Sequence, residues 1–295
     1  MNQTRGFIAL TITALILGTF GVLIRALADS FSDAGQVFAR SITATLIITV
    51  IILFKKTNPF DITKKNLKYV LLFSLVFPLS IICFTVSANL IKVSNSLFML
   101  YVGSLVSTAI FGKIFFKERF TLKHTIALIL VFIGLCFFVY PFSIESVSLG
   151  LLFGILSGLF EGSSHTLRKL MNEVKREVVV FYQSLSGAIV AILFLLFSTE
   201  PIIRNFNVSS VVVALLFGFL LVVIGTLLVY GFNNFDVNLG TIILATELFF
   251  ALVINYLFLQ ETPTSFELLG GTIIFFASIV TSIKFSHGKI VKATI

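Results

Sequence analysis

The chain is short of charge. Asp, Glu, Lys and Arg make up only 12% of its 295 residues, where soluble globular chains carry roughly 25%, and the mean hydropathy is +1.10. That shortage excludes a soluble enzyme, a nucleic-acid binder and a disordered regulator. Cysteine is nearly absent as well. Cys83 and Cys136 both sit in apolar runs, where a thiol behaves as a small hydrophobe, so no disulfide is expected. Cofactor signatures are missing too. The sequence has no G-x-x-x-x-G-K-[ST] loop to cradle a triphosphate and no H-E-x-x-H, and His124, His165 and His287 show no metal-ligand spacing. No cofactor or metal is expected. Ser163 and Ser164 beside His165 make a poor nucleophile pair, because adjacent helix positions do not face each other. An integral membrane enzyme is therefore the weaker reading.

What remains is apolar sequence in long runs. Crossing about 30 Å of hydrocarbon takes a helix of about 20 mainly apolar residues. Runs of that length fall near 5–28, 33–54, 67–89, 94–116, 123–140, 148–171, 177–198, 209–232, 238–259 and 265–284. Ten spans use most of the chain and leave nothing for a soluble domain. A membrane strand would alternate over about 10 residues, and these runs do not, so the spans are helices. The first apolar stretch, Gly6–Ile24, exceeds the roughly 7–15 residues of a signal-peptide core and is read as a span.

The net charge of +8 marks orientation before it marks a partner. With a cytoplasmic N-terminus, only Arg25, Arg40, Lys92 and Arg204 fall in the outer half, and the other 17 of the 21 basic residues lie inside. N-in and C-in follow, with the cell membrane as the expected location.

Sliding the chain on itself by 143 residues lays Arg25 on Arg168, Ser41 on Ser184, Glu118 on Glu261 and Thr121 on Thr264. Charged and polar matches carry weight because such residues are rare here. The chain thus reads as an all-α membrane protein of two five-helix units, 1–142 and 143–295. Five is odd, so the second unit enters the membrane inverted, the architecture of many secondary transporters.

The two stretches FGKIFFKERFTLKHTIALILVFIGLCFF and ELFFALVINYLFLQETPTSFELLGGTIIFFASIV share one pattern. Each is an apolar helix ended by Glu118 or Glu261, then a turn holding Thr121 or Thr264, then a Gly-bearing apolar helix. Over essentially the whole chain this resembles the drug/metabolite transporter superfamily, EamA type. The sequence departs from that pattern in lacking Trp in spans 1 and 6 and Pro in span 4. The resemblance implies alternating access by a secondary carrier and leaves the substrate open.

A charge near the bilayer centre costs about 2.5–3.5 kcal/mol on insertion scales, so each one needs a reason. Glu161 lies about 20 Å and Glu247 about 18 Å from the outer ends of their spans, at 1.5 Å per residue. They are the leading substrate or proton site, suited to a cationic or amine-bearing metabolite. Burial and a like-charged neighbour also favour the neutral acid, which would let one carry a proton. Packing residues tied by Ser or Asn are the alternative.

His165 and Arg168 follow Glu161 at i+4 and i+7 on one face. His165 could relay or orient the Glu161 proton, or be a satisfied interior histidine; Arg168 reads as an inner anchor. Arg40, about 10 Å below the outer surface, shares a face with Gln36 and Asp33 and is expected in a network with them. The resemblance makes it a candidate for anionic groups or a gate. Arg25 with Asp29 at i+4 reads as an outer anchor or gate. Gly150, Gly154, Gly158 and Gly162 form an unbroken i+4 stripe for close helix packing. Phe98, Tyr101, Phe249 and Phe250 are candidates for an aromatic cavity wall.

The expected function is secondary transport of a small polar or amine-bearing metabolite, coupled to protons through Glu161 and Glu247, with uncoupled exchange as the alternative. Its partners are a small-molecule substrate and the lipid bilayer, with no nucleic acid; a monomer would suffice.

Overall fold

The computed structural model describes residues 2–118, 121–140, 149–197 and 201–282. The expected 142/143 boundary lies outside them, as do Arg119, Lys284, His287, Lys289 and Lys292. Twelve helices follow in order: α1 (Gln3–Leu17), α2 (Phe20–Ala28), α3 (Asp33–Phe54), α4 (Lys64–Leu90), α5 (Val93–Phe116), α6 (Leu122–Val139), α7 (Leu149–Leu170), α8 (Arg176–Phe197), α9 (Val208–Asn234), α10 (Val237–Leu244), α11 (Glu247–Leu259) and α12 (Ser265–Ser282). Among the described residues no strand occurs, only an isolated bridge between Phe31 and Ile203. The fold is all-α, and among the described residues seven helices are long and apolar enough to cross a membrane when α1 is taken with α2 and α10 with α11. His124–Phe138 and Ser265–Thr281 are shorter apolar helices. The chain is a multi-pass membrane protein.

Local sequence explains where the helices begin. Ser32, Thr63 and Asn207 stand in extended conformation and accept N–H groups from Gly35, Asn66 and Ser209, at the starts of α3, α4 and α9. Such caps satisfy donors that a helix start leaves unpaired. Two breaks interrupt otherwise continuous apolar runs: Gly18–Thr19 divides α1 from α2, and Ala245–Thr246 divides α10 from α11.

Small residues set the closest approaches. A Cβ on Gly158 would stand 2.0 Å from the Leu100 carbonyl oxygen, and one on Gly162 2.5 Å from that of Ser104. The stripe on α7 therefore lies on the backbone of α5. On its other side α7 meets α4 through two serines: Ser157 donates to the Ser80 carbonyl (3.0 Å), and the Ser80 hydroxyl lies 3.1 Å from the Ser157 carbonyl. Without a hydrophobic force between helices in lipid, close packing and such bonds hold the bundle together. The other main pairings are α6 with α12, α3 with α8 and α1 with α9.

Candidate functional site

The two helix breaks and the α4–α5–α7 contact converge on one cavity of about 70 Å³. Leu17 and Phe20 flank the first break, Leu244 and Glu247 the second, and Ser80, Tyr101, Glu161 and His165 enter from α4, α5 and α7. The rest of the wall is apolar, including Phe77 and Phe84 of α4. This volume admits a few waters or a small ammonium head group, and a metabolite would have to widen it.

Glu161 is tied on both oxygens. Ser80 donates to Oε2 at 2.9 Å, and the Arg168 guanidinium lies 3.4 Å from Oε1. Arg168 is fully buried. It also donates to Gln183 Oε1 at 3.2 Å and lies over the rings of Phe73 and Phe77, at 5.1 and 5.2 Å. The expectation of an inner anchor is thus corrected: α8 supplies Gln183 and α4 the two rings, closing the guanidinium away from water. Of the two readings of His165, the same group favours the satisfied interior histidine. Arg168 Nη1 is 3.0 Å from His165 Nδ1, and arginine can only donate. His165 Nδ1 therefore accepts, its proton sits on Nε2, and Nδ1 has none to offer Glu161 at 3.6 Å. The imidazole stacks on Phe232 at 4.5 Å.

Glu247 opens α11 and is 4% exposed. Its Oε2 lies 2.5 Å from the Tyr101 hydroxyl, which also lies 2.7 Å from the Leu244 carbonyl. No Lys, Arg or His forms an ion pair with it among the described residues. The two carboxyl groups share a cavity but differ in their surroundings, since Glu161 has a built-in cation beside it and Glu247 has not.

The remaining candidates lie elsewhere. Arg40 donates to Thr85 Oγ1 at 2.7 Å and Ile81 O at 3.4 Å and lies 4.4 Å from the Phe217 ring. It stands one layer behind the wall, since Ile81 lines the cavity. Of the network expected with Gln36 and Asp33, no hydrogen bond to Arg40 is seen among the described residues: the Gln36 amide is fully buried with no hydrogen-bond partner among them, and Asp33 accepts from Asn89 at 2.5 Å. The reach of Arg40 across to α4 explains this. Arg25 donates to the carbonyls of Ile91 (2.7 Å) and Asn89 (3.4 Å), closing the end of α4 in place of pairing with Asp29. Phe98 lies in a separate apolar crevice of about 400 Å³ with Val102, Leu105 and Phe132, because its stripe on α5 turns to α6. Phe249 and Phe250 pack with Phe275 of α12. Of the expected aromatic wall only Tyr101 enters the cavity; Phe20, Phe77 and Phe84 supply the rest.

Two glutamates join the ends of α5 and the α10–α11 pair. Glu118, just past α5, accepts from Val237 N–H (2.8 Å), Asn238 N–H (3.2 Å), Asn238 Nδ2 (2.7 Å) and Lys169 (3.0 Å). Burial pushes its pKa up, but Lys169 and these donors outweigh it and hold it below the ordinary value. Glu261, just past α11, accepts from the Val93 N–H that opens α5, with Lys92 and Arg25 nearby; burial leaves its pKa raised. Each glutamate thus meets the start of the other helix.

An all-helical bundle with broken helices and acidic groups around an interior cavity is the build of a membrane carrier. The EamA-like transporter family model matches residues 4–140 and again 148–283, and the chain belongs to that family. Family membership points to transport and not to enzymatic catalysis, with a small-molecule substrate and the lipid bilayer as partners. The chain is 24% identical over 287 residues to the pseudopaline exporter CntI of Pseudomonas aeruginosa, covering 94% of this chain and 95% of that protein. A solved crystal structure with 14% sequence identity shares the fold at a TM-score of 0.74, covering 95% of this chain and 96% of the other.

Proposed function

We propose that this protein is a secondary carrier in the cell membrane that exports a small amine-bearing metabolite by alternating access. Glu161 and Glu247 form its binding site, and a proton gradient drives it. Ten spans cross with both termini inside, and the units 1–142 and 143–295 insert in opposite senses. The observation that carries this reading is two carboxyl groups facing one small apolar cavity beside two helix breaks. A buried carboxylate is costly without a cation, and an ammonium group meets that need. Likeness to an exporter supports the outward direction. The helix pairings support the inverted units: α3 packs on α8 and α6 on α12, each the helix 143 residues on, and the same shift exchanges the pairing α1–α9 with α7–α4.

The test begins with a panel of amine-bearing metabolites screened by thermal shift on purified protein. Hits are then followed in proteoliposomes with an imposed pH gradient. Substrate flux should follow the gradient and fall at least about tenfold in Glu247→Gln, the loss of one charge-assisted contact. Normal flux in both Glu247→Gln and Glu161→Gln would sink the assignment. Uncoupled exchange is favoured by one observation, the built-in cation Arg168 beside Glu161. It predicts flux without proton movement.

A further inference from the structure

The Tyr101 hydroxyl has one proton and two neighbours that need one. The Leu244 carbonyl, 2.7 Å away, can only accept. It lacks a helical partner because α10 ends there and the N–H of Leu248 turns to Ala245. If the Tyr101 proton satisfies this carbonyl, the 2.5 Å contact to Glu247 Oε2 needs a proton of its own. Only the carboxyl group of Glu247 can supply it.

We infer that Glu247, Tyr101 and the Leu244 carbonyl form an ammonium subsite that a proton and a primary or secondary ammonium occupy in turn. This rests on the carrier reading above and adds the division of labour within it. In the occupied-by-proton state Glu247 donates to Tyr101 Oη, and Tyr101 donates to Leu244 O. When the carboxyl proton leaves to water, the phenolic hydrogen swings from Leu244 O to Glu247 Oε2. The vacated carbonyl and the carboxylate then present two acceptors to one ammonium carrying at least two N–H groups. One positive charge leaves and one enters, so the cavity keeps its net charge. Glu161 does not take this part, because the Arg168 guanidinium already stands beside it as its cation.

The groups facing Glu247 allow this. Tyr101 comes from α5, and Glu161 and His165 come from α7, with Arg168 behind them. The faces of α1, α2 and α9 are apolar at the cavity, with Leu17, Phe20 and Leu228. His124 of α6, paired with Asp236, and Glu267 of α12, paired with Lys92, stand at the ends of the bundle.

Infrared difference spectroscopy of the purified full chain tests this, because a protonated carboxyl group has a carbonyl stretch that a carboxylate lacks. Methylammonium, small enough for the cavity, is the probe; tetramethylammonium, which has no N–H, is its control. The wild-type band should disappear on adding methylammonium, with release of one proton into weak buffer. Tetramethylammonium should act on the order of tenfold more weakly or less well, the cost of lost charge-assisted hydrogen bonds. The band should be absent in Glu247→Gln and present in Glu161→Gln. In Tyr101→Phe it should move to higher frequency, since the acid loses its acceptor; this arm, like the wild-type titration, stands even if Glu247→Gln fails to fold. A missing wild-type band, a band that survives Glu247→Gln, one unmoved by Tyr101→Phe, or equal effects of the two amines would overturn the subsite. Amine flux without the band leaves the carrier standing and removes only the subsite. The band without amine flux removes the carrier.

Discussion

Lys117 and Gln260, 143 residues apart, hold the same left-handed backbone conformation, with φ of 52° and 55°. Each follows the last turn of a helix, and the next residue, Glu118 or Glu261, sends its N–H back to Gly112 or Asn255, again 143 apart. The same turn built twice from unlike residues indicates that the repeat survives in geometry where side chains have diverged.

A non-glycine residue in this region costs roughly 1–2 kcal/mol. Lys117→Gly and Gln260→Gly should therefore each stabilise the detergent-solubilised protein by about 1 kcal/mol in thermal unfolding. A loss of stability in both would mean that these side chains contribute contacts worth more than the strain.

The α5–α7 contact makes a sharper demand. Gly158→Ala would press a methyl group on the Leu100 carbonyl, which is backbone and cannot yield, and should destabilise by about 1–3 kcal/mol. Gly271→Ala comes closest to the flexible end of Leu252, at 3.2 Å, with Phe249 at ordinary contact distance, and should be close to neutral. Equal melting temperatures for the two variants would refute the close-packing role of the stripe.

Arg168 and Glu161 should behave as a coupled pair. Arg168→Met leaves a carboxylate without its cation and should cost about 3–5 kcal/mol. Combining it with Glu161→Gln removes that orphan charge and should restore much of the loss. Additive effects in a double-mutant cycle of unfolding free energies would show that the pair is not coupled.

The two end glutamates should respond to acid with opposite signs. The folded-state pKa of Glu118 lies below its ordinary value of 4.5, so its contribution is present above pH 4.5 and lost as pH falls through the folded value. Glu118→Gln should flatten the acid side of the stability curve. For Glu261 the folded value lies above 4.5, so the folded state binds the proton more tightly and gains stability as pH falls through that raised value. Glu261→Gln should remove this gain and steepen the acid loss. Parallel shifts in the two variants, read from melting temperature against pH, would contradict the assigned surroundings.

Much of the fold was legible because the bilayer constrains sequence one helix at a time. Hydropathy alone marks where the helices run. The i+4 glycines of α7 announce a close approach, and the Glu-plus-Thr ends of the two units announce their kinship. Rare charges inside apolar runs single out Glu161 and Glu247. A signal for Arg168 was present in its shared face with Glu161 and His165, but a basic residue near a span end reads the same whether it meets lipid headgroups or a neighbouring helix.

The sequence by itself determined the class of protein, the position of its helices and the identity of its interior carboxyl groups, because burial in lipid is decided by composition along a single helix. Only the tertiary structure decided which carboxyl group has a cation beside it, that Tyr101 meets Leu244 as well as Glu247, and that Phe98 faces away from the cavity. Those outcomes depend on the rotation of each helix about its axis and on contacts between residues more than 140 positions apart, such as Tyr101 and Glu247. Local periodicity does not encode either.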